Sequence, residues 1–249
     1  MKTMSLINKK GGVGKTTITV NLAYAFAESC DLRVLVVDND DQGNATQFFG
    51  ARAESGLADV LTGADIRACL SKTRYPLIDL LPSDERLLEA NMAVIKDETI
   101  VQQSILKDAL QSIDEMYDIC LIDNPPSINA SVINALVASD EVIIVTTPDM
   151  YGLRGVEQMM TYINAIQAGY NPQLRFRGCL LNKFSMTPHG FKILAKLRKD
   201  IPLFRSRIRY TKDKPEAAAE EQQAIFEYSP NCGFSCDLVK FLRELMEGM

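Results

Sequence analysis

Apolar positions along the chain fall into two kinds of stretch. Short runs rich in β-branched and aliphatic residues cover Thr3–Asn8, Arg33–Asp38, Leu77–Leu81, Asp118–Asp123, Glu141–Thr146 and Phe176–Leu181. These runs are apolar at successive positions, which predicts strands buried on both faces of a parallel sheet. Between them lie longer segments with helical spacing: Lys15–Ser29, Glu85–Val94, Thr99–Ile113, Asn129–Ala138, Gly152–Ala168, Gly190–Lys199 and Cys236–Glu247. The alternation predicts an α/β fold, a doubly wound, mostly parallel sheet with helices on both faces. No internal repeat, low-complexity tract or Pro/Gly/Ser-rich linker interrupts it, so one domain over residues 1–249 is expected.

Composition fits that picture. The chain has 249 residues, 47% hydrophobic and 24% charged, enough apolar content for a sizeable core. No apolar run approaches the roughly 20 residues needed to cross a bilayer. The opening MSLIN strand leads into a glycine-rich polar segment, unlike a signal peptide, and a cytoplasmic protein is expected. The formal net charge of −5 and pI near 5.1 argue against a constitutive nucleic-acid coat, so any DNA binding must come from a local basic patch. Six cysteines, at 30, 69, 120, 179, 232 and 236, several of them in apolar runs, read as reduced thiols used as small core residues. Cys232 and Cys236 lack nearby metal-ligand partners, and the single histidine, His189, reads as a surface or cap residue at a helix start.

The segment INKKGGVGKTTITVNLAYAF begins at a strand end and opens a helix, the context a phosphate-binding loop requires. Gly11, Gly12 and Gly14 allow a tight turn that aims backbone N–H groups, including that of Val13, at an anion. The helix start near Lys15 adds the positive end of its dipole. Lys15 can reach the β- and γ-phosphates of ATP, the Thr16 hydroxyl can ligate Mg²⁺, and Thr17 is expected at the α-phosphate. Where the ordinary motif has its first glycine this chain has Lys9, followed by Lys10.

The residues KGGVGKTT match the deviant Walker A motif, and the chain resembles the ParA/MinD (SIMIBI) family of ATPases. The resemblance implies that Lys10 reaches across a homodimer interface to the partner subunit's ATP, as an arginine finger does. It extends to VVDNDDQGNAT, where Asp38, Asp40, Gln42, Gly43 and Asn44 match the family's D-x-D-P-Q-G-N and Asp41 replaces the proline. By that match Asp40 orients or activates the attacking water, and Asp38 supports the metal through its water shell. The strand end YDICLIDNPPS reads as Walker B, with Asp123 holding Mg²⁺ through water. Asn182, at the end of GCLLN, is implied to contact adenine. The next base-contacting loop aligns with SRIRYTKDKPEA, where Arg209 replaces the family's proline and the glycine ahead of AIFEYSP is missing.

The resemblance covers nearly the whole chain and points to small partition ATPases of the ParA type. Only seven residues precede Asn8, so the N-terminal helix-turn-helix of large plasmid partition ATPases is not expected. The last segment, with apolar residues at Leu238, Phe241, Leu242, Leu245 and Met246, carries Asp237, Glu244 and Glu247 and has no lysine-rich face. It reads as a terminal helix packed on the core rather than the membrane helix of MinD proteins. The cluster cysteines of nitrogenase iron proteins and the tyrosine-rich tail of the related kinases are both missing. A basic concentration stands out at Lys183, Lys192, Lys196, Arg198, Lys199, Arg205, Arg207, Arg209, Lys212 and Lys214. With few aromatics between the charges, it is read as a surface for double-stranded DNA without sequence preference. The expected protein is therefore a nucleoid-associated, DNA-segregating ATPase stimulated by a ParB-like partner, with no membrane binding. The alternatives are a MinD-type positioning ATPase and a ParA-like organiser of another cargo.

Overall fold

Eight strands form one sheet in the computed structural model of the chain, which describes residues 1–52, 54–96 and 102–248. They are β1 (Lys2–Ile7), β2 (Val34–Asp38), β3 (Ser71–Lys72), β4 (Ile78–Leu81), β5 (Ile119–Asp123), β6 (Glu141–Thr146), β7 (Arg175–Phe184) and β8 (Leu203–Arg209). Their order is β3-β4-β2-β5-β1-β6-β7-β8, with β3 antiparallel to β4 and every other pairing parallel. The doubly wound sheet expected from the sequence is the fold observed. Side chains of β2 show why continuous apolar runs were required: Val34 and Val36 enter the core on one face, Leu35 and Val37 the core on the other.

Helix Lys15–Cys30 packs on the first face beside the terminal helix Gly233–Met246, whose Leu238, Phe241, Leu242 and Leu245 are buried. The sequence placed that helix on the core, and it lies there, its Phe241 ring edge-on to Phe204 of β8. Helices Arg86–Lys96, Ile105–Gln111 and Ala130–Ala138 cover the other face near β2 and β5, and Met150–Gly169 covers it near β6 and β7. Residues 99–101 of the expected helix Thr99–Ile113 lie outside the described residues.

Strand β8 was not foreseen. Its buried Phe204 and Ile208 follow the period-2 alternation of an edge strand, but the alternating Arg205, Arg207 and Arg209 read as a basic loop. The topology matters for function in one respect. β1 lies between β5 and β6, so the chain leaves the carboxyl end of β1 where the strand order reverses, the usual place for a ligand in an open α/β sheet. The register also sets Asp38 beside Asp123 at the ends of β2 and β5.

Candidate functional site

The loop after β1 turns through Gly12 and Gly14, both in the left-handed region at φ 70° and 88°. Gly14 is required on two counts. A side chain would be strained there, and a Cβ would stand 2.3 Å from the side-chain nitrogen of Asn182. Helix Lys15–Cys30 starts directly after it with no acidic residue in its first turn. The exposed N–H groups and the dipole end are therefore uncompensated and face a cavity of about 680 Å³.

Lys15 is 7% exposed, and among the described residues its ammonium makes one hydrogen bond, 3.3 Å to the Asn8 carbonyl. Burial lowers its pKa, and the fields of Asp123 and Asp40 oppose that shift. A buried, under-bonded lysine at a helix N-terminus fits a phosphate. The Thr16 hydroxyl donates to Asp123 at 2.6 Å, and Thr19 approaches the same carboxylate at 3.4 Å. Burial, and then repulsion from Asp38, push the Asp123 carboxyl up to about 7. Asp38 accepts from both the N–H and the hydroxyl of Thr46 at 2.7 Å, yet burial still pushes it up to about 6. Two buried carboxylates short of positive charge beside a threonine hydroxyl fit a divalent cation held through water.

Asp40 stands at the mouth of the same cavity. Partial burial raises its pKa, and the Gln42 N–H, 3.1 Å from its side chain, opposes the rise. Gly43, at φ 61°, closes the turn with its N–H on the Asp40 carbonyl. Asp41, in the place of the family's proline, lines the cavity and accepts from the Gln42 side chain at 3.3 Å. One pocket thus gathers Gly11, Gly12, Gly14, Lys15, Thr16, Thr17 and Asp40, while Val13 is buried beneath the loop.

Lys10, Asn182 and Arg209 do not line this cavity. Lys10 lies over its own subunit, its ammonium 2.6 Å from Asp149 and 2.9 Å from the Thr147 hydroxyl. Partial burial pushes Asp149 up, but Lys10, Thr147 and the Gly152 N–H outweigh it and hold the carboxyl below its usual range. Asn182 and Arg209 line a second cavity of about 40 Å³ beside Gly14 and Thr17. Both side chains are already engaged by neighbouring protein groups. The Asn182 amide donates to the Val13 carbonyl at 2.8 Å and its oxygen accepts from the Lys183 N–H, so it braces the phosphate loop. The Arg209 guanidinium is clamped on Asp237 at 2.6 and 2.7 Å.

The expected DNA surface divides in the same way. Arg205 pairs with Glu244 and Glu247, and Arg209 with Asp237, all on the terminal helix. Arg207 lies over the Phe184 ring, 5.4 Å from its centroid. Lys183 lines both cavities, on the nucleotide side of the molecule. Lys192, Lys196 and Lys212 are exposed, whereas the side chains of Arg198, Lys199 and His189 lie outside the described residues. Motif reading also missed Asn8, Asn39 and Asn124. Asn8 bonds the Val145 carbonyl at 2.7 Å, and Asn39 bonds Asn124 at 2.8 Å. Their one sequence signal is position, since each directly follows a buried strand.

Strand, glycine loop, Lys15, Thr16 and a buried strand-end aspartate together define a P-loop nucleotide-binding protein. A family profile described as an AAA domain matches residues 1–176. The sporulation initiation inhibitor protein Soj of Bacillus subtilis is 36% identical over 80% of this chain and 79% of its own length. The chromosome partitioning protein ParA of Caulobacter vibrioides is 34% identical over 74% of this chain and 70% of its own. Among solved structures, cobyrinic acid a,c-diamide synthase from Mycobacterium smegmatis, with bound ATP analog and magnesium, superposes with a TM-score of 0.80. It is 30% identical and covers 89% of this chain and 92% of that one. The chain belongs to the ParA/MinD family of ATPases.

The raised carboxyls give the protein, freed of nucleotide and metal, a defined pH dependence. Unfolded aspartates titrate near ~4, whereas Asp38 and Asp123 titrate at about 6 and about 7 in the fold. Between those values the folded state holds more protons than the unfolded one, so this contribution to stability declines as pH rises. The melting temperature of wild type minus that of Asp123→Asn should fall between about pH 4 and about pH 7. Scanning calorimetry in EDTA measures it, and a difference that rises with pH contradicts the assignment.

Proposed function

We propose that the protein is an ATP-dependent partition ATPase. Two subunits join face to face across bound ATP, the dimer holds duplex DNA without sequence preference, and hydrolysis stimulated by a ParB-like partner releases it. The observation that carries this reading is the convergence of Lys15, Thr16 and Asp40 on one cavity, with buried Asp123 bonded to the Thr16 hydroxyl behind it, in a chain whose relatives include a chromosome partitioning protein. The backbone N–H groups of residues 11–17 and Lys15 receive the phosphates. Thr16, with Asp123 and Asp38 behind it, holds Mg²⁺, which neutralises charge on the phosphate oxygens. Asp40, raised in pKa and facing the cavity, orients the attacking water and accepts its proton.

Lys10 completes the site from the partner subunit. To do so it exchanges its ion pair with Asp149 for phosphate oxygens across the interface, trading one anionic partner for another. A partly exposed ion pair of this kind is worth about 1 kcal/mol, a modest barrier to the exchange. The DNA surface is carried by Lys192 and Lys196 of helix Pro188–Asp200 with Lys212, because Arg205 and Arg209 are committed to the terminal helix. On a chain of net charge −5 one such patch binds weakly, and two patches joined by ATP act at high effective concentration.

Three outcomes are expected. Asp40→Ala keeps ATP binding and dimerisation but lowers hydrolysis by roughly 10²-fold or more, while Lys15→Ala loses nucleotide affinity. Isothermal titration and phosphate release separate the two, and wild-type turnover in Asp40→Ala contradicts the role. Lys10→Ala weakens the ATP-dependent dimer seen by sedimentation and spares ADP binding by the monomer. An unchanged dimer contradicts action in trans. Retardation of random duplex DNA needs ATP, weakens steeply with salt, and weakens further in Lys192→Glu/Lys196→Glu, with the log–log salt slope falling by about 1 per lost contact. Equal retention with ATP, ADP and no nucleotide, or pelleting with liposomes in its place, overturns the partition reading.

A further inference from the structure

Gln222 adopts a backbone conformation that its own side chain opposes. Its φ of 54° lies in the left-handed region, where a Cβ crowds the neighbouring carbonyl and glycine is favoured. What the side chain contributes there is one hydrogen bond. Its Nε2 donates to the carbonyl of Gln47 at 2.5 Å, across 175 positions of sequence.

The bond joins two segments that border the nucleotide site. Gln47 lines the phosphate cavity itself, and Gln222 lies just beyond Ala219 and Glu220, which line it. The two side chains meet in an adjoining groove with Asp41 and Gln42. Gln47 sits in the short helix Asn44–Phe48, which begins at Gly43. Gly43 is fastened by its N–H to the carbonyl of Asp40 at 2.9 Å, and Thr46 of the same helix holds Asp38. A displacement of this helix therefore carries the Asp40 loop with it. In the other segment, Gln222 closes the turn after helix Lys214–Glu220, its own N–H bonded to the Ala219 carbonyl at 3.0 Å. That helix begins with Pro215 and Glu216 on the small cavity beside Gly14, and ends with Ala219 and Glu220 on the phosphate cavity. Its far side is anchored too, since the Ile225 N–H bonds the side chain of Asn21 on the phosphate-loop helix at 2.6 Å. Among the described residues, the Gln222–Gln47 bond is the one hydrogen bond that joins residues 210–223 to residues 38–51.

Resting on the ATPase reading above, we propose that Gln222 is a positioning residue for hydrolysis. Through Gln47 it ties the wall lined by helix Lys214–Glu220 to the helix that follows Asp40, and so sets the carboxylate against the attacked phosphate. It touches no reacting atom. The strained backbone is retained because glycine, which would relax it, has no side chain to make the tie.

The experiment measures single-turnover hydrolysis at several ATP concentrations, with melting temperature, for wild type, Gln222→Gly, Gln222→Lys and Asp40→Ala. Gln222→Gly relieves the left-handed strain, so its melting temperature should equal or exceed that of wild type. Its maximal hydrolysis rate should fall about two- to ten-fold, the range for losing one hydrogen bond that acts on the transition state. Half-saturation by ATP should stay within about two-fold, since no phosphate contact is removed. Gln222→Lys keeps a donor of similar reach and should recover most of the rate. An unchanged rate in Gln222→Gly overturns the proposal. So does a lowered melting temperature with rate and half-saturation shifting together, which marks a structural role, or a failure of lysine to recover the rate. If wild type itself does not hydrolyse ATP beyond Asp40→Ala, it is the ATPase reading that fails, a result distinct from the others.

Discussion

Burying Lys15, Asp38 and Asp123 together at the carboxyl edge of the sheet is the constraint from which the rest of the site follows. Two of the three are carboxylates, and both are nearly inaccessible to water. A low-dielectric interior tolerates such charges only when they are paired or proton-bound. The fold leaves the balance incomplete. Asp123 faces Asp38 across neighbouring strands, and Lys15 has, among the described residues, a single long contact with a carbonyl. An anion for the lysine and a cation for the carboxylates would complete the balance, and the nucleoside triphosphate and metal proposed above would supply both at once. The sheet order makes this possible, since β5 lies between β1 and β2 and sets the strand-end carboxylates Asp38 and Asp123 beside the phosphate loop that follows β1 and leads into Lys15.

A site built on unbalanced charge needs a frame that does not relax around it. Amides supply that frame. Asn124 bonds the carbonyls of Leu6 and Ile122, each at 3.2 Å, and accepts from Asn39, linking the ends of β1, β5 and β2. Asn8 fastens β1 to β6 through Val145, and Asn182 fastens the end of β7 to the phosphate loop through Val13. Each is buried, so its hydrogen bonds compete with little water and resist distortion. The same closeness explains Gly14: where Asn182 presses on the loop there is no room for a side chain.

What the sequence reveals of this arrangement depends on how local each signal is. The glycine loop, its lysine and its threonines are contiguous and sit between a strand and a helix, so their meaning survives without the fold. Six strands were legible as continuous apolar runs, because both faces of a parallel sheet are covered. β3 has two residues, and helices such as Asn44–Phe48 and Leu57–Leu61 have five, too few for a period to register. Contacts between distant segments left no trace in the chain order. Nothing near Lys10 announces Asp149, and nothing near Asn182 announces Val13. The missing glycine ahead of AIFEYSP was visible, but only the fold shows the left-handed turn taken there by Gln222 and the contact that accompanies it.

The basic stretch illustrates the same limit from the side of charge. Counted along the sequence, residues 183–214 form one positive block. In space the block is cut by its own secondary structure. On β8, Arg205 and Arg209 meet carboxylates of the terminal helix, so that their charge is spent on docking that helix and on blocking an open sheet edge. Phe184 takes the face of Arg207, and Lys183 turns at φ 53° toward the nucleotide cavities. A polyanion on this side would meet the exposed Lys192 and Lys196 of helix Pro188–Asp200 and Lys212, which stands 3.8 Å from Asp213. Lysine suits that task physically. A compact ammonium on a flexible stem follows phosphates as a point charge, whereas the planar fork of arginine grips carboxylate or phosphate in a fixed geometry, and at Arg209 that fork is held by Asp237.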